Sequence, residues 1–306
     1  MIKIIESTNK HQMLPFIMTI FVYYAELYLF LLDYISSFFF CNILALLVIL
    51  WPFYLLGIRK TNMLKHIFLF SFIASFLLLI YEVPLISMEG NRYVVSSYHP
   101  PEELVKSSGI YVLGVNTTEV LLEEGLEEQD FLELNSHSMI FDINQVTNIH
   151  RYANKTIALI QLIGINLEVD YVHQMSMNVN AYLSTGNIAI DEFLSRNNVN
   201  GNSAGLALVL SSLIEQEEVK NAKTIGVTGA ISKTGEVIEI GQVKEKVLSA
   251  NKINLPYIIL PLGNLEEANE VVESLNLPIE VIGVQTVSDA IQKINELNEE
   301  IKGESE

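Results

Sequence analysis

Two short segments in the last third of the chain hold residue types that together can cleave an acyl bond. Gly201-Asn202-Ser203-Ala204-Gly205 offers a nucleophile, and Gly241-Gln242-Val243-Lys244-Glu245-Lys246 offers a base. The apolar run Leu206-Ala207-Leu208-Val209-Leu210 follows the serine directly, so Ser203 is expected in a loop opening into a buried helix. The first N–H groups of a helix are unpaired and lie at the positive end of its dipole, which favours an oxyanion forming there. Small neighbours, Gly201, Asn202 and Ala204, let a carbonyl group come close to the backbone. A serine hydroxyl needs a base, and a lysine serves as one only when burial or a nearby cation lowers its pKa. Over residues 244–250 charged and apolar positions alternate with helical period. Val243, Val247, Leu248 and Ala250 are expected to face inward, with Lys246 at their edge. A Ser-Lys pair is one variant of the nucleophile-base logic.

Three blocks in order carry a family resemblance: Asn-Ser-Ala-Gly at 202–205, Thr-Gly-Ala-Ile-Ser-Lys-Thr-Gly-Glu-Val at 228–237, and Ile-Gly-Gln-Val-Lys-Glu-Lys at 240–246. From about Asn198 to near Leu297 the chain resembles the proteolytic domain of the Lon family. The resemblance implies Ser203 as nucleophile, Lys246 as catalytic lysine and Thr228 as a supporting hydrogen-bonding residue. It also implies a homo-oligomer. Where the family usually reads Asp-Gly-Pro-Ser this chain has Asn200-Gly201-Asn202-Ser203, and the usual second glycine of the lysine block is Gln242. A carboxylate and a rigid proline are thus absent just before the nucleophile, while the dyad itself is kept.

The elements that must position these blocks are spread over a chain of divided composition. Its 306 residues have a mean hydropathy of +0.34 and a formal net charge of -18, room for two ordinary domains and a membrane part. Residues 1–90 are rich in Phe, Leu, Ile and Tyr, and are read as a membrane anchor of about three transmembrane helices, near 14–32, 35–56 and 64–80. Glu26 in the first of these reads as a residue facing a neighbouring helix or, less simply, as a pore or partner contact. Arg59, Lys60 and Lys65 crowd one connection, which the positive-inside rule makes cytoplasmic, and one further crossing puts everything after Glu82 outside. No cleaved signal peptide is expected, because two further apolar stretches follow the first. The lone cysteine, Cys41, lies in the second apolar stretch, so no disulfide is expected in the outer portion. A multi-pass protein of a bacterial cell membrane with an extracytoplasmic catalytic domain fits these features.

Residues 91–165 are read as strands near 109–115, 131–134 and 156–160, with a helix near 143–152. With Gly125-Leu126-Glu127-Glu128-Gln129-Asp130 as a turn, that order resembles a PDZ domain, in which an extended peptide adds as a strand. The resemblance implies a peptide-binding segment at Ser108, Gly109, Ile110 and Tyr111, with 106–109 as the carboxylate loop. The expected fold class is therefore α+β: transmembrane helices, a PDZ-like domain over 91–165, a Lon-type α/β proteolytic domain over 166–300 and an acidic tail over 301–306. The whole order resembles bacterial membrane-anchored PDZ-Lon proteins.

The acidic charge falls beyond residue 90 and argues against nucleic acid or anionic lipid headgroups as partners. Residues 230–235 only resemble a phosphate loop: Ser232 stands where a glycine belongs before Lys233-Thr234, so no nucleotide is expected. Six histidines lack metal-ligand spacing and none follows Ser203; a Ser-His-Asp triad would borrow His173 or an earlier one. Neither metal nor cofactor is expected. Two functions follow: a membrane-anchored, ATP-independent serine endopeptidase acting on unfolded or peptide substrates, or a catalytically weak scaffold that captures peptide ends. Turnover lost in both Ser203→Ala and Lys246→Ala separates them.

Overall fold

A computed structural model describes residues 14–57, 62–122, 132, 139–165, 170–183, 187–197 and 199–304. The chain forms two compact units. One comprises Met1–Val94, Glu119–Glu127 and Asn144–Leu167; the other comprises Val95–Thr118, Glu128–Ile143 and Glu168–Glu306.

The first unit begins with helices α1 (Leu14–Leu31), α2 (Ser37–Gly57, with Pro52 inside it), α3 (Asn62–Glu82) and the short α4 (Pro84–Ser87). These helices are apolar on all sides. Tyr23, Phe30, Phe40, Leu44 and Leu85 fill the seam between them, while Phe21, Phe38, Phe53 and Phe70 point outward and exposed. In water such a surface is unfavourable, at about 25 cal/mol for each Å² of apolar area. Phe68–Ser87, 20 residues, is the stretch among the described residues long and apolar enough to cross a membrane; the apolar segments Phe16–Leu31 and Ser37–Phe53 are shorter. Arg59 and Lys60 lie outside the described residues.

Strands β1 (Asn91–Tyr98), β2 (Glu102–Glu103), β3 (Ile110–Val112), β4 (Val115–Leu122) and β5 (Ile140–Gln145) follow, and β4, β1 and β5 make a three-stranded sheet in that order. Helix α5 (Asn148–Leu162) covers residues 156–160, expected as a strand. A short apolar run is ambiguous between the two states, and the helical pair Arg151 and Lys155 resolves it, since both are buried four residues apart. The Lys155 ammonium sits 2.6 Å from Glu82 at the end of α3, flanked by the rings of Tyr81 and Tyr152 at 3.9 and 3.8 Å. The Asp33 carboxylate accepts from the backbone N–H of Asn148 at 2.7 Å, an anion at the positive end of α5.

The second unit adds α6 (Tyr171–Tyr182), α7 (Ile188–Leu194), α8 (Gly205–Glu215), β6 (Ile225–Val227), β7 (Ala230–Ile231), β8 (Val237–Ile238) and α9 (Val243–Lys252). It closes with β9 (Tyr257–Pro261), α10 (Leu265–Leu275), β10 (Glu280–Val284) and α11 (Val287–Glu304). Its five-stranded sheet runs β10-β9-β6-β3-β2, parallel except for the β2-β3 pair. Side chains alternate across it: Ile225, Val227 and Ile259 join the core with α6, α8 and α11, whereas Ile258 and Leu260 join the core with α9 and α10. Helix α11 runs on through Glu304, so most of the expected 301–306 tail is helical.

The PDZ-like order is not reproduced. Its first strand, β3, pairs with β6 in the five-stranded sheet, and its last expected strand lies in α5. Its turn at 125–130 lies outside the described residues, as do Phe131 and residues 133–134 of its second strand. Sequence order could not reveal that β3 pairs with β6, more than a hundred residues away.

Candidate active site

Ser203 lies in the turn that leads into α8, two residues before the first helical residue, and is partly exposed. Every residue from Gly205 to Leu213 is buried, so the helix behind the serine is fixed by packing on all sides. The loop after β6 clamps the turn. The Ser203 carbonyl accepts from the Gly229 N–H at 2.7 Å and from the Thr228 hydroxyl at 3.2 Å, and the Gly229 carbonyl accepts from the Leu206 N–H at 2.9 Å. At Gly229, φ is +158°, and an added Cβ would meet Leu206 and Val237 side-chain atoms at 3.2–3.4 Å. Thr228 is itself buried, with its N–H on the Ile259 carbonyl at 3.1 Å.

Lys246 lies in the first turn and a half of α9, with 4% of its surface exposed. Its Nζ donates to the Gly241 carbonyl at 3.0 Å. Burial pulls its pKa down to about 8, with neighbouring Glu245 opposing the shift in part. Val243, Val247 and Ala250 hold the helix onto the core as expected, and Leu248 is half-buried.

Ser203, Ala204, Gly201 and Lys246 line one cavity of about 160 Å³. The cavity lies at the carboxyl ends of two neighbouring parallel strands: Val112, Leu113 and Gly114 at the end of β3 form part of its wall, and Thr228 directly follows β6. Parallel sheets place ligand sites at such ends because the connections there diverge. Met175, Phe193 and Val199 add an apolar wall. Arg196 and Glu102 add a forked ion pair with N–O distances of 2.6 and 2.9 Å, and Arg196 holds the Glu102 carboxyl below the usual range. His99 also lines the cavity, with its Nδ1 on the Asn116 side chain at 3.1 Å.

Ser203, Lys246, Thr228, Gly201, Asn202 and Ala204 are thus gathered around one turn and one cavity, with Asn202 accepting from the Gly205 N–H at 3.3 Å. The peptide-binding expectation for residues 108–111 is corrected. Ile110 and Tyr111 have β6 on one side, and on the other β2 pairs Tyr111 and Val112. The Gly109 N–H is on the Glu103 carboxylate at 2.8 Å. Ser108 caps the Ile110 N–H at 3.2 Å. A strand already paired on both sides has no open edge for a peptide. Glu102 and Arg196 were not legible as site residues, since nothing in their local sequence marks a contact spanning 94 positions, and neither was His99. Among the described residues no group of His, Cys, Asp and Glu is placed to hold a metal.

Residues 194–296 match the Lon protease (S16) C-terminal proteolytic domain. Over 94 residues the chain is 33% identical to Lon protease 2 of Syntrophobacter fumaroxidans, covering 30% of this chain and 12% of that protein. It is 37% identical over 99 residues to the peroxisomal Lon protease homolog 2 of Caenorhabditis briggsae, covering 32% and 13%. With the Lon protease of Clostridium beijerinckii it shares 26% identity over 136 residues, covering 44% and 16%. Residues 194–296 are therefore similar to the proteolytic domain of Lon proteases, and the matched stretches span only 12–16% of the length of these relatives.

Proposed function

We propose that this chain is a membrane-anchored serine endopeptidase that needs no ATP, with Ser203 as nucleophile and Lys246 as general base. The observation that carries the reading is a buried lysine, its pKa lowered to about 8, lining the same small cavity as a serine held on a clamped turn before a buried helix. The neutral amine takes the Ser203 proton as Oγ bonds to the substrate carbonyl carbon. Backbone N–H groups at the turn stabilise the oxyanion. Collapse breaks the C–N bond, and the Lys246 ammonium returns its proton to the departing amine, leaving an ester on Ser203. Water then adds to that ester, giving its proton to Lys246, and the carboxylic acid product leaves as the serine is reprotonated.

The small volume of the cavity, about 160 Å³, favours peptides and unfolded chains as substrates. Anchoring is supported by Phe68–Ser87 and by the exposed aromatic side chains of α1, α2 and α3. The basic cluster at 59–65 supports a catalytic domain outside the cytoplasm of a bacterial cell. Similarity to Lon proteins supports a homo-oligomer.

His99 favours a second reading, with imidazole as base, because it lines the same cavity and is oriented by Asn116. The test is hydrolysis of an unfolded protein by the full chain in detergent, without nucleotide. Loss of turnover in Ser203→Ala and Lys246→Ala, with turnover kept in His99→Ala, supports the lysine reading. Turnover surviving Lys246→Ala but lost in His99→Ala replaces it with the imidazole, and no turnover in a folded wild-type chain leaves the scaffold reading.

A further inference from the structure

Gln242 precedes α9 with φ +59° and ψ +42°, a left-handed conformation that a side chain makes costly. Glycine is the usual occupant of such a position, and a glutamine held there needs an offsetting contact. It has two: Nε2 donates to the Thr117 hydroxyl at 2.7 Å and to the Ser96 hydroxyl at 3.3 Å. Its backbone serves the base directly. The Gln242 carbonyl accepts from the Lys246 N–H at 3.2 Å, and the residue before it, Gly241, supplies the carbonyl that binds the Lys246 ammonium. Gln242 also lines the cavity that holds Ser203 and Lys246.

We infer that Gln242 is a positioning residue for Lys246: its side-chain amide, tied to Thr117 on β4 and Ser96 on β1, fixes the left-handed turn that aims the Gly241 carbonyl at the lysine. This rests on the reading of Lys246 as the base. An amine held by one carbonyl keeps its lone pair in a defined direction, whereas a loosened turn lets Nζ wander and admits water. The charged and titratable groups near Lys246 are Glu245 on its own helix and His99, Glu102 and Arg196 in the cavity wall. None of them touches the Gln242 amide among the hydrogen bonds just given.

Two variants separate side chain from backbone. Gln242→Gly keeps the turn without strain and deletes the amide; Thr117→Val deletes the other end of the strong bond, and Thr117→Ser keeps a hydroxyl. The full chain in detergent is followed by two readouts: kcat and KM against pH, and the pH dependence of Lys246 acetylation by acetic anhydride, read by mass spectrometry. For Gln242→Gly and Thr117→Val, kcat at pH 7 is expected to fall about 3- to 10-fold with KM unchanged. The midpoint of Lys246 acetylation is expected to move by roughly half to one pH unit in both, and Thr117→Ser to behave as wild type. Unchanged acetylation midpoints in both deleting variants would overturn the inference, whatever the turnover. If instead Lys246→Ala stays active while the midpoints do shift, the reading of Lys246 as base fails and Gln242 still positions the lysine.

Discussion

At the scale of single residues, the charge state of Lys246 is expected to set both rate and stability, and both rise with pH. The reactive form is the neutral amine, so kcat/KM is expected to rise with pH through about 8 and to fall tenfold per unit well below it; a flat profile between pH 6 and 9 would exclude the lysine as base. Below that value the lysine is charged in both folded and unfolded chains, and the folded state bears the whole cost of burying the ammonium. Between about 8 and the ordinary lysine value near 10.5 the unfolded chain binds more protons, so stability increases with pH across that window. Replacing the lysine removes the cost. Lys246→Met is expected to abolish turnover and yet to raise stability at pH 7 by on the order of 1–3 kcal/mol, checked by denaturant unfolding in detergent. Thr228→Val, nearly isosteric, deletes one of the two hydrogen bonds that the Ser203 carbonyl accepts among the described residues and keeps that from the Gly229 N–H. Its expected effect is a loss of about 1 kcal/mol and a several-fold drop in kcat, whereas Thr228→Ser retains activity.

At the scale of elements, α8 and the end of α3 illustrate two kinds of anchoring. Leu210 on α8 is fully buried in the core beside the sheet, so Leu210→Ala is expected to cost about 2–5 kcal/mol, with turnover lost in proportion to unfolding at the assay temperature. Lys155 on α5 and Glu82 on α3 bury a pair whose charges are both fully enclosed. Removing one leaves the other unpaired: Lys155→Met alone is expected to destabilise by about 3–5 kcal/mol, and Lys155→Met with Glu82→Gln to recover much of that loss. Equal damage in the single and double variants would show that the ion pair itself, and not the orphaned charge, is what matters. Helix α5 also marks where local reading failed. Its residues 156–160 carry β-branched and apolar side chains that suit a strand, whereas the helix buries Arg151 and Lys155 on one face, with Lys155 against Glu82, 73 positions earlier.

For the whole molecule, apolar helices and an acidic remainder demand different surroundings. The exposed phenylalanines of α1, α2 and α3 are expected to keep the chain in the membrane pellet after alkaline carbonate extraction; release into the supernatant would remove the anchor from the proposal. Sidedness is checked with a single engineered thiol, since the native Cys41 is buried. Glu270→Cys on the exposed, acidic face of α10 is expected to react with a membrane-impermeant maleimide in intact bacteria, and reaction only after lysis would place the catalytic unit in the cytoplasm.

The sequence by itself determined the nucleophile block, the lysine block and the apolar character of the first ninety residues, because each is written locally. A serine before a continuous apolar run, a lysine on the edge of a helical stripe and long charge-poor stretches do not depend on distant partners. Only the tertiary structure decided which elements complete the site. The pairing of β3 with β6 turned an expected peptide-binding strand into part of the five-stranded sheet, and brought Glu102 and His99 to the cavity of Ser203. It likewise placed Thr117 and Ser96 under Gln242. Strand pairing and ion pairing between remote segments are set by the summed burial of the whole core, a quantity that no short window of sequence contains.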